Sequence, residues 1–210
     1  MKGKSTNYIF FFVVIVVVSM IIYYSFEGVE YNQSYEEEVI EYREKKDRSL
    51  KHDSESPLDK QQKEKFGGLQ YYKANIAYKV EAEVVPYKIP ETLTVTTSQD
   101  LERSFLKYGK ARFTLGDKEH ELLLLKPIRS TTPQAENMLF LPFTDETSGR
   151  ETYGAGRYLD LEERDDKIVI DFNYAYNPYC AYNEIYDCPI PPQENHLNIK
   201  ILAGEKVYKN

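Results

Sequence analysis

Tryptophan is absent from the 210 residues, and cysteine (2), methionine (3) and histidine (3) are scarce. Two cysteines exclude a disulfide-dense scaffold and a cysteine-rich zinc module. Excess basic charge is also missing. The 27 Lys and Arg stand against 34 Asp and Glu, a net charge of −7. Such a chain lacks the basic face that nucleic-acid binding needs, so no nucleic-acid partner is expected. There is no P-loop, dinucleotide fingerprint, nucleophile elbow, HExxH helix or EF-hand, and no internal repeat. What is present is tyrosine, 19 residues beside 10 phenylalanines, within a hydrophobic fraction of 41 %. That is too apolar and aromatic for a mainly disordered chain, and the length suits one ordinary domain.

The averages conceal a divided chain. From Tyr8 to Phe26 no residue is charged. These 19 residues span about 28 Å as a helix, close to one hydrocarbon thickness. Tyr8 lies at one end, Tyr23 and Tyr24 at the other, where interfacial aromatics belong. A strand so long and uncharged would aggregate, whereas in lipid a helix satisfies every backbone group of a single span. Lys2 and Lys4 precede the segment and Glu27 and Glu30 follow it. The positive-inside rule then puts residues 1–7 in the cytoplasm, 8–26 in the membrane and 27–210 outside, in the periplasm if the cell is Gram-negative. A cleaved signal peptide is the competing reading, though the sites near Ser25-Phe26-Glu27-Gly28 are poor for cleavage. Setting aside the two lysines takes the net charge from −7 to −9.

Residues 27–66 hold 12 acidic and 8 basic residues and read as a charged helical stalk. Ser34 with Glu37 has the spacing of a capping box, and Glu41–Lys45 and Glu44–Arg48 are favourable i,i+4 pairs. Tyr35, Val39, Tyr42 and Leu50 trace a narrow apolar stripe, which predicts a helix over 35–50 resting one edge on the domain; a solvated spacer is the alternative. Ser56-Pro57 starts a second short helix that Gly67-Gly68 ends. A β-domain is expected over 67–210, and from residue 70 the period falls to two. Strands are expected at 78–84, 93–97, 111–115, 121–125, 138–143, 157–162, 167–176 and 197–202, with a hairpin turn at Gly116-Asp117. The fold class is therefore mainly β, an antiparallel barrel or sandwich preceded by one or two short helices, with an N-terminal transmembrane helix.

The C-terminal half carries the unusual segments: Gly154-Ala155-Gly156-Arg157-Tyr158-Leu159-Asp160, then Asp171-Phe172-Asn173-Tyr174-Ala175-Tyr176-Asn177-Pro178-Tyr179-Cys180-Ala181-Tyr182-Asn183. Cys188-Pro189-Ile190-Pro191-Pro192-Gln193-Glu194-Asn195 and Ala203-Gly204-Glu205-Lys206 follow. Together these closely resemble a bacterial and archaeal family of uncharacterised proteins, domain-of-unknown-function family 1684. The resemblance runs from about Tyr35 to Lys206, implies no activity, substrate or cofactor, and leaves the apolar N-terminal segment outside.

On the residues themselves, alternation puts Ile168, Ile170, Phe172, Tyr174 and Tyr176 on a core face and Asp171, Asn173 and Asn177 on the other. Short Asp and Asn are poor strand formers, so their clustering implies fixed hydrogen bonds, either to turns or to a ligand. Arg157 offers a fork for Asp160, Asp171, Glu194 or an anionic ligand. The candidate ligand-binding set is Arg157, Asp160, Asp171, Asn173, Asn177, Tyr179 and Glu194. Cys180 and Cys188 are eight positions apart; a disulfide there would contribute about 2.5 kcal/mol by loop closure. Inert buried thiols and a reactive or metal-binding cysteine are the other readings. A zinc site from Cys180, Cys188, His196 and Glu194 matches no standard spacing, so no metal or cofactor is implied.

Three functions remain open. One is a membrane-anchored extracytoplasmic module that binds a small polar or anionic ligand. The second is a hydrolase-type enzyme with Glu151, Asp160, Asp171 or Glu194 as acid/base and Arg157 as clamp. The third is a structural or interaction protein without a small-molecule site.

Overall fold

The computed structural model describes residues 4–128, 137–164 and 166–209. Lys2, one of the two lysines ahead of the apolar segment, lies outside the described residues. A single helix, α1, runs Lys4–His52. At 1.5 Å per residue its 49 residues extend about 74 Å. Between Phe10 and Tyr24 its apolar side chains are exposed. The described side chains of this stretch, Phe10 to Ser25, number sixteen, and among the described residues no helix is long and apolar enough to cross a membrane.

The C-terminal third of α1 belongs to the domain. Tyr35, Val39, Arg43 and Leu50 are buried, and Lys46 is largely covered, a stripe at helical spacing. Polar contacts hold this stripe in place. The Tyr35 hydroxyl lies 2.8 and 2.9 Å from the two Asp171 carboxylate oxygens, and Arg43 donates to the carbonyls of Tyr72 (2.8 Å) and Asn173 (3.2 Å). Lys46 pairs with Glu205 at 2.5 Å, and the Leu69 amide donates to Asp47 at 3.2 Å. Ser34 is interior to α1 and is not its N-cap, because the helix continues through it from the N-terminal side. A six-residue helix, α2 (Lys60–Lys65), begins later than Pro57. Its N-cap is Asp59, which forms a reciprocal capping box with Gln62.

Among the described residues eight strands follow: β1 (Lys79–Pro86), β2 (Thr92–Thr96), β3 (Glu102–Leu115), β4 (Lys118–Pro127), β5 (Met138–Asp145), β6 (Arg157–Glu162), β7 (Lys167–Asp171) and β8 (His196–Leu197). The order β6-β5-β4-β3-β1-β7 is antiparallel throughout; β2 adds to β3, and β8 pairs with β5 in parallel. β7 comes back beside β6, and residues past its end form a two-way bridge between Tyr158 and Tyr176. The sheet is thus a nearly closed barrel, which decides between barrel and sandwich.

The inward residues of every long strand fill the barrel. Ala82, Val84, Phe113, Leu122, Leu124, Leu139, Leu141, Phe143, Leu159, Leu161, Ile168, Ile170 and Phe172 form one core. Leu123 and Leu125 point outward and are buried with Val95 and Phe105, which is why β4 reads as unbroken leucine instead of alternating. Gly116 opens the two-residue turn between β3 and β4 at φ +64, a conformation that favours glycine. Gly109 sits at a bulge in β3, where a Cβ would meet the Val85 carbonyl oxygen at 2.6 Å.

Two expected strands are shorter than their alternation implies. β7 stops at Asp171, because the Asp171 carboxylate accepts the Asn173 amide (3.0 Å) and turns the chain into a 3₁₀ turn, Phe172–Tyr174. The segment expected as strand 197–202 pairs only through Leu197. Beyond it, single bonds take over: the Ile201 amide donates to Asp145 (3.3 Å), and the Ile199 carbonyl accepts from Glu146 (3.1 Å).

Candidate functional site

A groove of about 600 Å³ lies on the outside of the barrel, between its wall and α1. Its floor comes from side chains that point away from the core on β3, β5 and β6. Phe140 and Asp160 face each other across β5 and β6, and Tyr158 lies two residues from Asp160 on the same face. Rings follow one another along this floor. Phe105 stacks on Phe140 at 5.4 Å, Phe140 meets Tyr158 edge-on at 4.7 Å, and Tyr158 meets Tyr176 at 5.9 Å. One wall is α1, through Tyr42, Lys46, Ser49 and Leu50. The other is the loop from Pro178 to Pro189, which contributes Tyr179, Tyr186, Asp187 and Cys188. Tyr179 and Tyr186 form an edge-to-face pair at 5.3 Å, and Tyr179 remains 46 % exposed.

The polar groups of the groove are few and mostly engaged. Tyr176 donates to Asp160 at 2.6 Å, and the Tyr158 hydroxyl donates to the Pro189 carbonyl. Burial pushes both phenols well above their ordinary range, and the Asp160 carboxylate adds to the effect at Tyr176. Lys46 reaches over the Tyr176 ring at 4.6 Å while pairing with Glu205. Arg103 approaches Asp187 at 3.8 Å.

Of the residues singled out in the sequence, the groove brings together Asp160 and Tyr179, with Cys188 alongside. The others serve the fold. Arg157 points into the barrel and is fully buried. It pairs with Asp145 at 2.8 Å, not with Asp160, Asp171 or Glu194, and it donates to the carbonyls of Ile201 (3.1 Å), Ala203 and Glu205 (3.3 Å). Strand alternation explains the correction: three residues along β6, Asp160 lies on the opposite side of the wall. Asp171 lies under α1 with Tyr35. Asn173 clamps Asn75, accepting its amide and donating to its carbonyl, both at 2.9 Å. Asn177 donates its amide to Glu205 (2.9 Å) and its side chain to the Lys206 carbonyl (2.8 Å). Glu194 faces Lys107 at the surface, 3.7 Å away. Glu151 approaches Lys200 at 3.6 Å and accepts from Tyr72 at 3.1 Å.

Cys180 and Cys188 are free thiols, both buried, and the Cys180 amide donates to the Cys188 sulfur at 3.2 Å. The Cys188 thiol, hydrogen-bonded to the Cys180 sulfur, lowers the Cys180 thiol to about 6 against the opposing effect of burial, and Cys188 itself is raised. The Tyr153 hydroxyl, 3.6 Å from the Cys180 sulfur, adds to the lowering. Among the described residues no three His, Cys, Asp or Glu side chains gather to hold a metal ion.

Sequence reasoning missed Tyr42, Lys46, Phe105, Phe140 and Tyr158 as groove residues. For Tyr158 a signal existed: with Arg157 and Leu159 inward, Tyr158 and Asp160 must share the outer face. It also missed Glu205, a buried hub that meets Lys46, Asn177 and Tyr182 (2.5 Å).

The family described as "Protein of unknown function (DUF1684)" matches residues 64–206. Among solved structures, the chain is similar to the solution NMR structure of an uncharacterized protein from Haloarcula marismortui. The identity is 34 % over 83 % of this chain and 95 % of that one, with a TM-score of 0.63. None of the curated proteins matches.

Proposed function

Because the chain belongs to the DUF1684 family, whose description names no activity, we propose its function from the geometry: a membrane-anchored barrel that binds a small polar ligand in the aromatic groove. The observation that carries this reading is the convergence of α1, the barrel wall and the 178–189 loop on one open cleft floored by rings and edged by Asp160. The volume is that of a small-molecule site, and apolar walls with few polar groups are what such sites use to fix orientation. The burial of Arg157 argues against an anion clamp, so the ligand contacts are assigned to Asp160, Tyr176 and Tyr179 instead. Ligand-dependent thermal shifts of the full chain across a metabolite library test this. They are expected to occur with polar compounds and to vanish in Tyr179→Ala, whose exposed side chain can be lost without unfolding. If no compound shifts the melting temperature, the chain is better described as an interaction protein.

The anchor rests on different support. Tyr8–Phe26 is uncharged, and the apolar side chains from Phe10 to Tyr24 are exposed. A helix exposing such a surface to water would aggregate. In this reading the lysine-bearing N-terminus is cytoplasmic and the barrel lies outside. Membrane fractionation with proteolysis from outside checks it: the barrel should sediment with membranes and be cleaved only from the outer side.

A further inference from the structure

We infer that the groove's ligand is a small organic cation, an ammonium seated between the tyrosine faces and the Asp160 carboxylate. This rests on the binding reading above and adds the chemical class. Three observations carry it. The first is charge: the basic groups at the groove are already neutralised, Lys46 by Glu205 at 2.5 Å and Arg103 by Asp187 at 3.8 Å. Asp160 is exposed, and among the described residues it has no cationic partner and takes its hydrogen bond from the neutral Tyr176. The net charge on offer is negative. The second is the ring surface. A phenol presents a negative π face, and such faces around a cleft attract cations. The third is precedent within the groove itself, where the Lys46 ammonium already sits 4.6 Å from the centre of the Tyr176 ring. An anion would meet the reverse: electron-rich faces, a like charge at Asp160 and, among the described residues of the groove, bases that are already paired.

Titration calorimetry of the full chain tests this, in a polyoxyethylene detergent so that the micelle offers neither choline nor sugar. Four probes are compared: choline, its uncharged isostere 3,3-dimethylbutan-1-ol, glucose and inorganic phosphate. Choline is expected to bind at least tenfold more tightly than the isostere. Asp160→Asn should weaken choline roughly twofold to fivefold and leave the isostere unchanged, since only the charge differs. Tyr179→Leu, which keeps an apolar surface but removes a π face, should weaken choline alone. Glucose or phosphate binding more tightly than choline, or equal binding of choline and its isostere, overturns the cation while the groove remains a binding site. Failure of all four at millimolar concentration overturns both.

Discussion

Arg157 and Asp145 form a charge pair with neither partner open to water. Removing one charge from such a pair leaves the other buried and uncompensated, at a cost of about 3–5 kcal/mol. Arg157→Met is expected to lower stability by at least that amount in urea denaturation of the full chain. The loss goes beyond the pair, because the same guanidinium holds three carbonyls of the C-terminal segment. At Cys180 the prediction concerns reactivity. With its thiol lowered to about 6, the thiolate is present above that pH, whereas an ordinary thiol deprotonates near 8.5. Initial rates of iodoacetamide labelling, read by peptide mass analysis, should rise at a lower pH for Cys180 than for an ordinary thiol. Cys188, whose thiol is raised, should stay unmodified at neutral pH.

At the scale of elements, α1 is a structural member of the domain and not a spacer beside it. Leu50 packs with Leu58, Phe66 and Tyr182, and Val39 with Ala74, so the helix covers surface that the barrel alone would expose. Leu50→Ala is expected to cost about 2–5 kcal/mol, read as a shifted denaturation midpoint. The stripe Tyr35–Val39–Leu50 was legible because helical spacing is a local property. So were the β3–β4 hairpin and the bounds of β6, set by alternation and a glycine-bearing turn. β7 and β8 were overread for one physical reason. Side chains of Asp171 and Asp145 take over backbone amides that a ladder would otherwise use, and alternation in sequence is blind to that competition. The groove was only partly legible. Asp160 and Tyr179 stood out by composition, but Tyr42 and Lys46 become groove residues only when α1 docks against a wall built from β3 to β6, far along the sequence.

Over the whole molecule, tyrosine is the commonest aromatic residue, and its covered phenols set the response to alkali. Burial raises the phenols of Tyr35, Tyr71, Tyr158, Tyr176 and Tyr182, and Tyr72 is pushed up to about 12. A phenol whose folded pKa exceeds its unfolded value stabilises the fold fully below about pH 10, and that contribution is lost as pH rises through the folded pKa. Stability should therefore be insensitive to these groups up to about pH 10 and fall steeply above it. Absorbance titration should show the exposed phenols ionising first and the buried set only together with unfolding.

The unbroken course of α1, Lys4–His52, carries a consequence of direction. A continuous helix transmits rotation, so the compass bearing of the groove about the helix axis is fixed relative to the apolar segment some 30 Å away. One residue inserted between Glu27 and Ser34 would swing the groove by about 100° and raise it only 1.5 Å. Seven inserted residues would return it to nearly its original bearing while lifting it about 10 Å. Heading and height are thus separately adjustable, and a partner that must meet the groove from one side would tolerate the second change far better than the first.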